Sequence, residues 1–173
     1  MTAAKNEEAY IAQAIRSVLS QTVLPLAWFI MDDGSTDRTA PVVEEFRKPH
    51  KLIRLWSLGS GSKRSFGSKD EAIRTAYDMA KTLPFSFVGM LDADIAHQRA
   101  DYYETILDEF YRNLRLGIAG GYIYERNNGV WKCRRGNSED SIAGGIQVFR
   151  RTCFEQIGGY KPMCYGGEDT LGN

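Results

Sequence analysis

Two short apolar runs in this sequence each stop at a pair of acidic residues, and this feature constrains the fold more than any other. The run from Leu26 to Met31 ends at Asp32-Asp33, and the run from Phe85 to Leu91 ends at Asp92-Ala93-Asp94. Apolar runs of this length, bounded by polar turns, are typical of strands buried on both faces. Helical periodicity between them indicates an α/β fold with a doubly wound, mainly parallel sheet. Such sheets bind ligands at the carboxyl ends of their strands, where both acidic pairs lie.

The chain divides at about residue 115 into two patterns. Before this point we predict a third strand over 52–58 and helices over 7–21, 68–81 and 100–113. The first helix would carry Glu7 and Glu8 in its first turn, and Ser35 or Thr36 would cap a further helix that runs to about Arg47. Beyond it, we predict strands over 118–124, 130–133 and 142–149 and a helix over 151–157 that stops at Gly158-Gly159.

Charge and cysteine content exclude several classes of protein. Lys+Arg and Asp+Glu both number 22, so the net charge is zero, whereas a protein that binds a nucleic-acid backbone is usually basic. Cys133, Cys153 and Cys164 fit neither a disulfide framework nor a zinc site and indicate reduced thiols. The sequence has no signal peptide and no apolar stretch near the ~18 residues that span a bilayer. We therefore expect a cytoplasmic protein, with contact at the inner face of the membrane left open.

The Asp92-Ala93-Asp94 motif is the strongest candidate for chemistry. Two carboxylates at positions i and i+2, where a strand turns, can lean toward one point and hold a divalent cation. Magnesium typically takes one or two carboxylates together with substrate phosphates. The alternative is a polar turn that caps the next helix, because a motif this short is common by chance.

Two further acidic segments are candidates for binding and catalysis. The carboxylates of Asp32 and Asp33 could accept a hydrogen bond from the imide or amide edge of a nucleobase, or could only form a tight turn. One of Glu168 and Asp169, which follow two glycines, could be a general base, or the pair could cap a helix.

Other polar residues carry weaker signals. The glycine-rich loop over 59–65 has the wrong spacing for a phosphate loop, but Arg64 in it, or Lys69 after it, could reach a phosphate instead of only facing solvent. His97 could be an additional metal ligand, although a hydrogen-bonded histidine is the simpler interpretation. The three tryptophans, Trp28, Trp56 and Trp131, are expected in or beside the core, with stacking of Trp131 on a sugar as the alternative.

These motifs, in this order, resemble the family 2 glycosyltransferases of the GT-A fold. The resemblance covers essentially the whole chain and runs through five groups of residues: Ala4-Lys5-Asn6-Glu7-Glu8 with the apolar stripe to Ser20-Gln21, Asp32 to Asp37, Leu91 to Asp94, Phe149-Arg150-Arg151 with Ile157 to Tyr160, and Gly166-Gly167-Glu168-Asp169. Each motif is modest alone, but five groups in register are specific.

The resemblance implies metal-dependent transfer of a sugar from a nucleotide-diphosphate sugar to an acceptor hydroxyl, with inversion. Mg²⁺ or Mn²⁺ would be the cofactor, and the acceptor a carbohydrate or a lipid-linked molecule. The residues that match the family's motifs have these implied roles: Ala3 and Lys5 line the nucleotide pocket, Asp33 with Asp32 contacts the base, Asp92 approaches the ribose and sugar, Asp94 binds the metal, Asp169 is the catalytic base, and Glu168 shapes the acceptor site. Residues 1–173 would form one domain, with a nucleotide-sugar-binding half over 1–115 and the start of an acceptor-binding half over 116–173.

The sequence departs from the family's pattern at two places. Lys5 stands where many members carry an aromatic residue that stacks on the base. The chain also starts late in its first strand and stops four residues after Asp169, so we expect a fragment that is inactive alone if it lacks acceptor-side elements. A sugar nucleotidyltransferase and a non-catalytic nucleotide-sugar-binding fragment are the alternatives.

Overall fold

The computed structural model describes residues 1–58, 66–134 and 142–159, and of residues 66–68 it describes the backbone. The elements in chain order are β1 (Thr2–Ala4), α1 (Ile11–Leu19), β2 (Trp28–Asp32), α2 (Thr39–Arg47), β3 (Ile53–Ser57), α3 (Phe66–Ala80), β4 (Phe87–Gly89), α4 (Tyr102–Arg112), β5 (Ile118–Ala119), β6 (Tyr124–Asn127), β7 (Val130–Cys133), β8 (Val148–Arg150) and α5 (Arg151–Gln156). A single 3₁₀ turn, Gly144–Ile146, precedes β8 in this part of the chain.

Six of the eight described strands are linked side by side, and β6 and β7 form a separate pair. Strand β1 pairs with β2, and β2 with β3, all in parallel. Strand β8 lies between β4 and β5 and is antiparallel to both. The amide of Leu91 donates to the carbonyl of Met1 (3.0 Å), and the Met1 nitrogen donates to the carbonyl of Gly89, which joins the two sheets in the order β3-β2-β1-β4-β8-β5. The expected α/β class is confirmed, with parallel strands in the first half and antiparallel strands in the second.

Helices cover both faces of the parallel strands. Every residue of β2 is buried, as a strand between two helical layers requires. Ile11 and Ile15 of α1 pack with Ile30 on one face, and Ala72 and Ala76 of α3 line the other face. The small alanines allow α3 to approach β2 closely. The apolar face of each of these helices is therefore buried against the sheet.

The beginnings of the first two helices differ from the prediction. Helix α1 starts at Ile11, so Glu7 and Glu8 precede it, because their amides donate instead to Thr39 Oγ1 (2.7 Å) and Asp37 Oδ2 (3.1 Å). Helix α2 starts at Thr39 and has no side-chain cap. Ser35 and Thr36, the expected caps, bond to Asn6 instead.

Two further predictions, for the segment over 142–149 and for the tryptophans, are also wrong. The segment predicted as a strand over 142–149 is extended only from Val148, because Gly144–Ile146 forms a 3₁₀ turn. Trp28 is buried, and its Nε1 donates to Thr2 Oγ1 (3.0 Å), but Trp56 and Trp131 are 51% and 56% exposed rather than in the core. The stop after α5 is confirmed, since Gly158 and Gly159 both have positive φ.

Two expectations drawn from composition concern membrane spans and cysteines. Within residues 1–58, 66–134 and 142–159, no helix is long and apolar enough to cross a bilayer. Cys133 and Cys153 are present as thiols, as predicted, and Cys164 lies outside the described residues.

Candidate active site

Three parallel strands deliver polar residues to one edge of the sheet. Lys5 follows β1, Asp33 follows β2, and Asp92 follows β4 after two buried apolar residues. The chain proceeds from β1 outward to β3 and then returns to place β4 on the opposite side of β1. This reversal is the topological switch point at which α/β sheets bind ligands. The acidic residues that follow β2 and β4 therefore lie at the same edge of the sheet.

The two adjacent carboxylates of Asp32 and Asp33 make different contacts. Asp32 Oδ1 accepts the amide of Ser35 (3.1 Å), which closes a tight turn after β2. Asp33 forms an ion pair with Lys5 (3.3 Å), and its own amide donates to the carbonyl of Ala4. Both carboxylates are nearly buried, at 4% and 6% exposure. Asp32 thus shapes the turn, while Asp33 and Lys5 form the charged pair at the strand ends.

Asn6 is a site residue that the sequence analysis did not identify. It has a positive φ of 57°, a conformation that asparagine tolerates better than most residues. Its amide donates to Ser35 Oγ (2.9 Å), and its Oδ1 accepts the amide of Thr36 (2.8 Å). Asn6 therefore fixes the loop after β1 to the loop after β2. An asparagine directly after a short strand was the only available signal.

The acidic residues after β4 lie in contrasting environments. Asp92 Oδ1 forms an ion pair with Lys69 of α3 (2.8 Å), with each side chain about one third exposed. Asp94 is exposed, and its carboxylate makes no hydrogen bond or ion pair with any residue that the structure describes. The two predicted metal ligands are thus close in the chain, and Lys69 already neutralises one of them.

Gly145 is a second site residue that sequence reasoning missed. Its carbonyl accepts the amide of Asp92 (2.9 Å), which fixes the chain at the start of the acidic motif. A Cβ atom at Gly145 would lie 2.6 Å from Asp92 Oδ2 and 2.9 Å from Ile95 Cδ1. An added Cβ would force the Asp92 carboxylate and the Ile95 side chain to shift from their observed positions. The glycine pair at 144–145 gave no indication of its partner.

The donor set at Asp92 and Asp94 fits a divalent cation that is also bound by substrate. In the described part of the chain, no group of three or more His, Cys, Asp or Glu side chains could hold a metal ion by itself. Hard cations prefer oxygen ligands, and magnesium is commonly bound by one or two carboxylates with phosphates and water completing the shell. Two carboxylates at an open edge match that mode of binding.

His97 belongs to an aromatic cluster behind the acidic motif. Its Nε2 is 3.0 Å from the hydroxyl of Tyr103, and its ring stacks on Tyr102 with centroids 4.3 Å apart. Burial lowers the pKa of His97 to about 4. The hydroxyl of Tyr102 donates to the carbonyl of Ile146 and accepts the amide of Gly121. The cluster thus links α4 to the turn that contacts Asp92, and the hydrogen-bonded interpretation of His97 is the one observed.

The depressed pKa of His97 predicts an acid-sensitive fold. The unfolded state, with a pKa near 6.5, binds a proton that the folded state resists, so stability is full above pH 6.5 and falls as the pH drops toward 4. We expect a loss of the order of 2 kcal/mol in the free energy of unfolding from this group between pH 7 and pH 4.5. In His97→Phe, which cannot be protonated, that share of the pH dependence should vanish in urea unfolding curves. Equal pH dependence in the two proteins would contradict the assignment.

The other predicted site residues are placed as follows. Ala3 of β1 is partly buried and packs in the cluster that Met31 forms with α3. It lies two residues before Lys5, near the carboxyl edge of the sheet. Arg64, Glu168 and Asp169 lie outside the described residues. Roles for these four residues therefore remain predictions.

The parallel strands β1–β3, followed by the mixed strands β4, β8 and β5, form a GT-A fold. The fold is similar to that of the mannosyltransferase PcManGT from Pyrobaculum calidifontis, solved with GDP-Man and Mn²⁺, with a TM-score of 0.71 at 17% identity over 98% of this chain and 48% of that one. It is equally similar to S. aureus TarS 1-349 in complex with UDP-GlcNAc, with a TM-score of 0.71 at 17% identity over 99% and 50% of the two chains. At such identities the likeness establishes the fold alone.

The chain belongs to glycosyl transferase family 2, whose sequence profile matches residues 1–166. Chondroitin synthase of Escherichia coli is 34% identical over 125 residues, which are 72% of this chain and 16% of that protein. Poly-beta-1,6-N-acetyl-D-glucosamine synthase of Staphylococcus epidermidis is 29% identical over 151 residues, or 86% and 31% of the two chains. The chain thus spans less than a third of the length of these relatives. The family that the motifs resemble is confirmed.

Proposed function

We propose that this chain is the donor-binding region of an enzyme that transfers a sugar from a nucleotide-diphosphate sugar to an acceptor hydroxyl, with a divalent cation and with inversion. The proposal depends on one observation: Asp33 follows β2, and Asp92 and Asp94 follow β4, at the carboxyl edge beside the switch point. Neighbouring folds solved with GDP-Man and Mn²⁺ and with UDP-GlcNAc support a nucleotide-sugar donor. The acceptor would be a carbohydrate or a lipid-linked molecule.

The nucleoside would occupy the edge beside β1 and β2. The Asp33 carboxylate, held by Lys5 at 3.3 Å, would accept a hydrogen bond from the base, and Lys5 would cover the base instead of an aromatic ring. Asp32 would act through the turn that it closes. Ala3, which is small and partly exposed, would leave room for the nucleoside.

The diphosphate would lie at the end of β4. Asp94, with Asp92, would hold Mg²⁺ or Mn²⁺, and the bound cation would neutralise the charge that builds on the departing diphosphate. Lys69, already 2.8 Å from Asp92, would turn toward a phosphate oxygen, and Arg64, which precedes α3 in the sequence, would bind the same diphosphate. The Lys69–Asp92 ion pair would then exchange for contacts with donor and cation.

The acceptor side would supply the base. In this proposal Asp169 removes the proton from an acceptor hydroxyl, which attacks the anomeric carbon on the face opposite the diphosphate, and Glu168 shapes the acceptor site. These two roles are supported by family membership and by the position of the Gly166-Gly167-Glu168-Asp169 motif in the sequence. Attack from the opposite face inverts the configuration at that carbon.

The donor class can be tested by thermal unfolding with a panel of nucleoside diphosphates, each with and without Mn²⁺. A ligand present at about 100 times its Kd stabilises the folded state by about 2.7 kcal/mol. We expect the diphosphate of one base to stabilise the chain more than the others, and to do so more strongly when Mn²⁺ is present. Release of pyrophosphate from a nucleoside triphosphate would instead support a sugar nucleotidyltransferase, and donor binding without transfer would support a non-catalytic domain.

The Asp33→Asn substitution should weaken nucleoside diphosphate binding by about tenfold, because a hydrogen bond to a charged group is worth roughly 1.5–3 kcal/mol. The loss of affinity should be largest for the nucleoside diphosphate with the preferred base, so the variant should discriminate less between bases. Titration of the same panel measures both changes. Asp78→Asn, an exposed carboxylate on α3 that pairs with Lys81, is the matched control. If Asp33→Asn keeps the parent's order of affinity for the nucleoside diphosphates, the base does not bind at Asp33.

A further inference from the structure

A concentrated group of exposed aromatic side chains lies on the β6–β7 hairpin. Tyr124 of β6 and Trp131 of β7 are 53% and 56% exposed, and Tyr122, just before the hairpin, is exposed to the same degree. Every residue of both strands is exposed, so the hairpin stands out from the body of the domain. Exposed apolar surface that is concentrated in this way marks a site of interaction.

The register of the hairpin sorts its residues onto two faces. Tyr124 is opposite Cys133, and Arg126 is opposite Trp131, so these four residues share one face, which we call the aromatic face. Glu125 lies on the other face and forms an ion pair with Arg134 (3.5 Å). The aromatic face thus carries a cation, Arg126, and no acidic residue among its four members.

The hairpin rises from the same edge of the sheet as the acidic motif. Strand β5 is antiparallel to β8, and β8 to β4, so β5 runs parallel to β4 and the chain leaves it at the edge where Asp92 lies. The base of the hairpin packs on the turn that supports Asp92: a Cβ at Gly120 would lie 2.9 Å from the carbonyl of Ile146, and Gly121 donates to Tyr102 (3.1 Å). The base of the hairpin therefore lies at the same edge of the sheet as the proposed donor site.

We propose that the aromatic face binds an acidic oligosaccharide, which is the acceptor chain of the transfer reaction; this acceptor role rests on the proposed function. The rings of Tyr124 and Trp131 would stack on the apolar faces of sugar rings, and the planar guanidinium of Arg126 would pair with a sugar carboxylate. Arg126 uses one donor on the carbonyl of Gly129 and has four more.

The surface of a lipid bilayer is a less suitable occupant for this hairpin. Its tip is Asn127-Asn128-Gly129, and polar backbone and amide groups there would have to leave water if Trp131 entered the apolar layer. The ion pair of Glu125 with Arg134 adds charge beside the same strands. Stacking on a hydrated sugar chain leaves all these groups in water.

The test measures binding of two hexasaccharides to the 173-residue chain by calorimetry: a hyaluronan hexasaccharide, which carries carboxylates, and chitohexaose, which is uncharged. We expect the acidic hexasaccharide to bind more tightly and Trp131→Ala to weaken its binding about tenfold. Arg126→Met should remove the preference for the acidic chain. Trp56→Ala, which removes an equally exposed tryptophan from β3, and Val130→Ala, on the other face of the hairpin, should leave binding unchanged.

The outcomes separate this proposal from the function on which it rests. Stabilisation by a nucleoside diphosphate with Mn²⁺ should be the same in Trp131→Ala and the parent. If the parent binds the acidic hexasaccharide but no nucleoside diphosphate, the proposed function fails and the proposal for the aromatic face does not. Equal hexasaccharide affinity in Trp131→Ala and Trp56→Ala would overturn the proposal. It would also be overturned if Trp131→Ala abolished sedimentation with vesicles of phosphatidylcholine and phosphatidylglycerol but left hexasaccharide binding intact.

Discussion

Replacing Asp94 by asparagine should lower metal-dependent sugar transfer by at least about 10²-fold in the enzyme that contains this chain. The carboxylate is exposed at the carboxyl edge and makes no ion pair within the described ranges, so its charge is available to a cation. An amide keeps the shape but loses the charge that attracts Mg²⁺ or Mn²⁺. Loss of one electrostatic contact to a developing charge commonly costs 10²–10³-fold in rate. We therefore expect Asp94→Asn to cause one of the largest losses of transfer activity among substitutions at this site.

A binding measurement tests whether the loss of transfer activity in Asp94→Asn arises from loss of the metal ion. Nucleoside diphosphate affinity in the parent should rise on addition of Mn²⁺, and in Asp94→Asn the rise should be lost while the affinity without metal stays the same. Asp108→Asn removes an exposed carboxylate from α4 that lies 3.9 Å from Arg112, and it is the control for a simple change in net charge. If Asp94→Asn keeps the full response to Mn²⁺, the cation is bound elsewhere.

The second large effect is expected at Gly145, a residue that touches no substrate in our proposal. A methyl group at this position would lie 2.6 Å from Asp92 Oδ2 and 2.9 Å from the Asp92 carboxyl carbon, closer than atoms can approach. Gly145→Ala should therefore push the carboxylate away from Lys69 and out of its position at the strand end. A misplacement of about 1 Å in a reacting group costs roughly 10²-fold in rate, and we expect a loss of that size in transfer.

The control for Gly145→Ala lies in the strand before the acidic motif. A Cβ at Gly89 would meet Val148 Cγ2 at 3.8 Å, an ordinary contact, so Gly89→Ala should leave activity close to the parent. Gly145 does not have positive φ, so the substitution acts through the clash and not through backbone strain. The free energy of unfolding of both variants should be measured by urea denaturation. Parent-level transfer by Gly145→Ala would show that Asp92 does not need its observed position.

The ends of buried strands were predictable because hydrophobic patterning and turn chemistry are local. The acidic groups at 32–33 and 92–94 follow apolar runs directly, so their common edge follows once the strands are parallel. The residues that fix these groups were not predictable. Asn6 reaches the loop after β2, and Gly145 meets Asp92 from a turn more than fifty positions away in the sequence.

The exposed hairpin shows the same limit. Tyr124 and Trp131 have the aromatic, strand-forming character of core residues, and the sequence analysis placed tryptophan in or beside the core. Burial depends on which surfaces meet, and no layer covers β6 and β7 among the residues described. Only the tertiary structure could assign these side chains to the surface.

For this protein the sequence alone determined the family, the α/β class and the order of the acidic motifs, because each of these depends on short segments of neighbouring residues. The tertiary structure decided that Asp32 closes a turn while Asp33 pairs with Lys5, that Lys69 meets Asp92, and which face of the hairpin is aromatic. The two ion pairs join residues that are 28 and 23 positions apart in the chain. Their distances are set by strand order and helix packing, which no local pattern specifies.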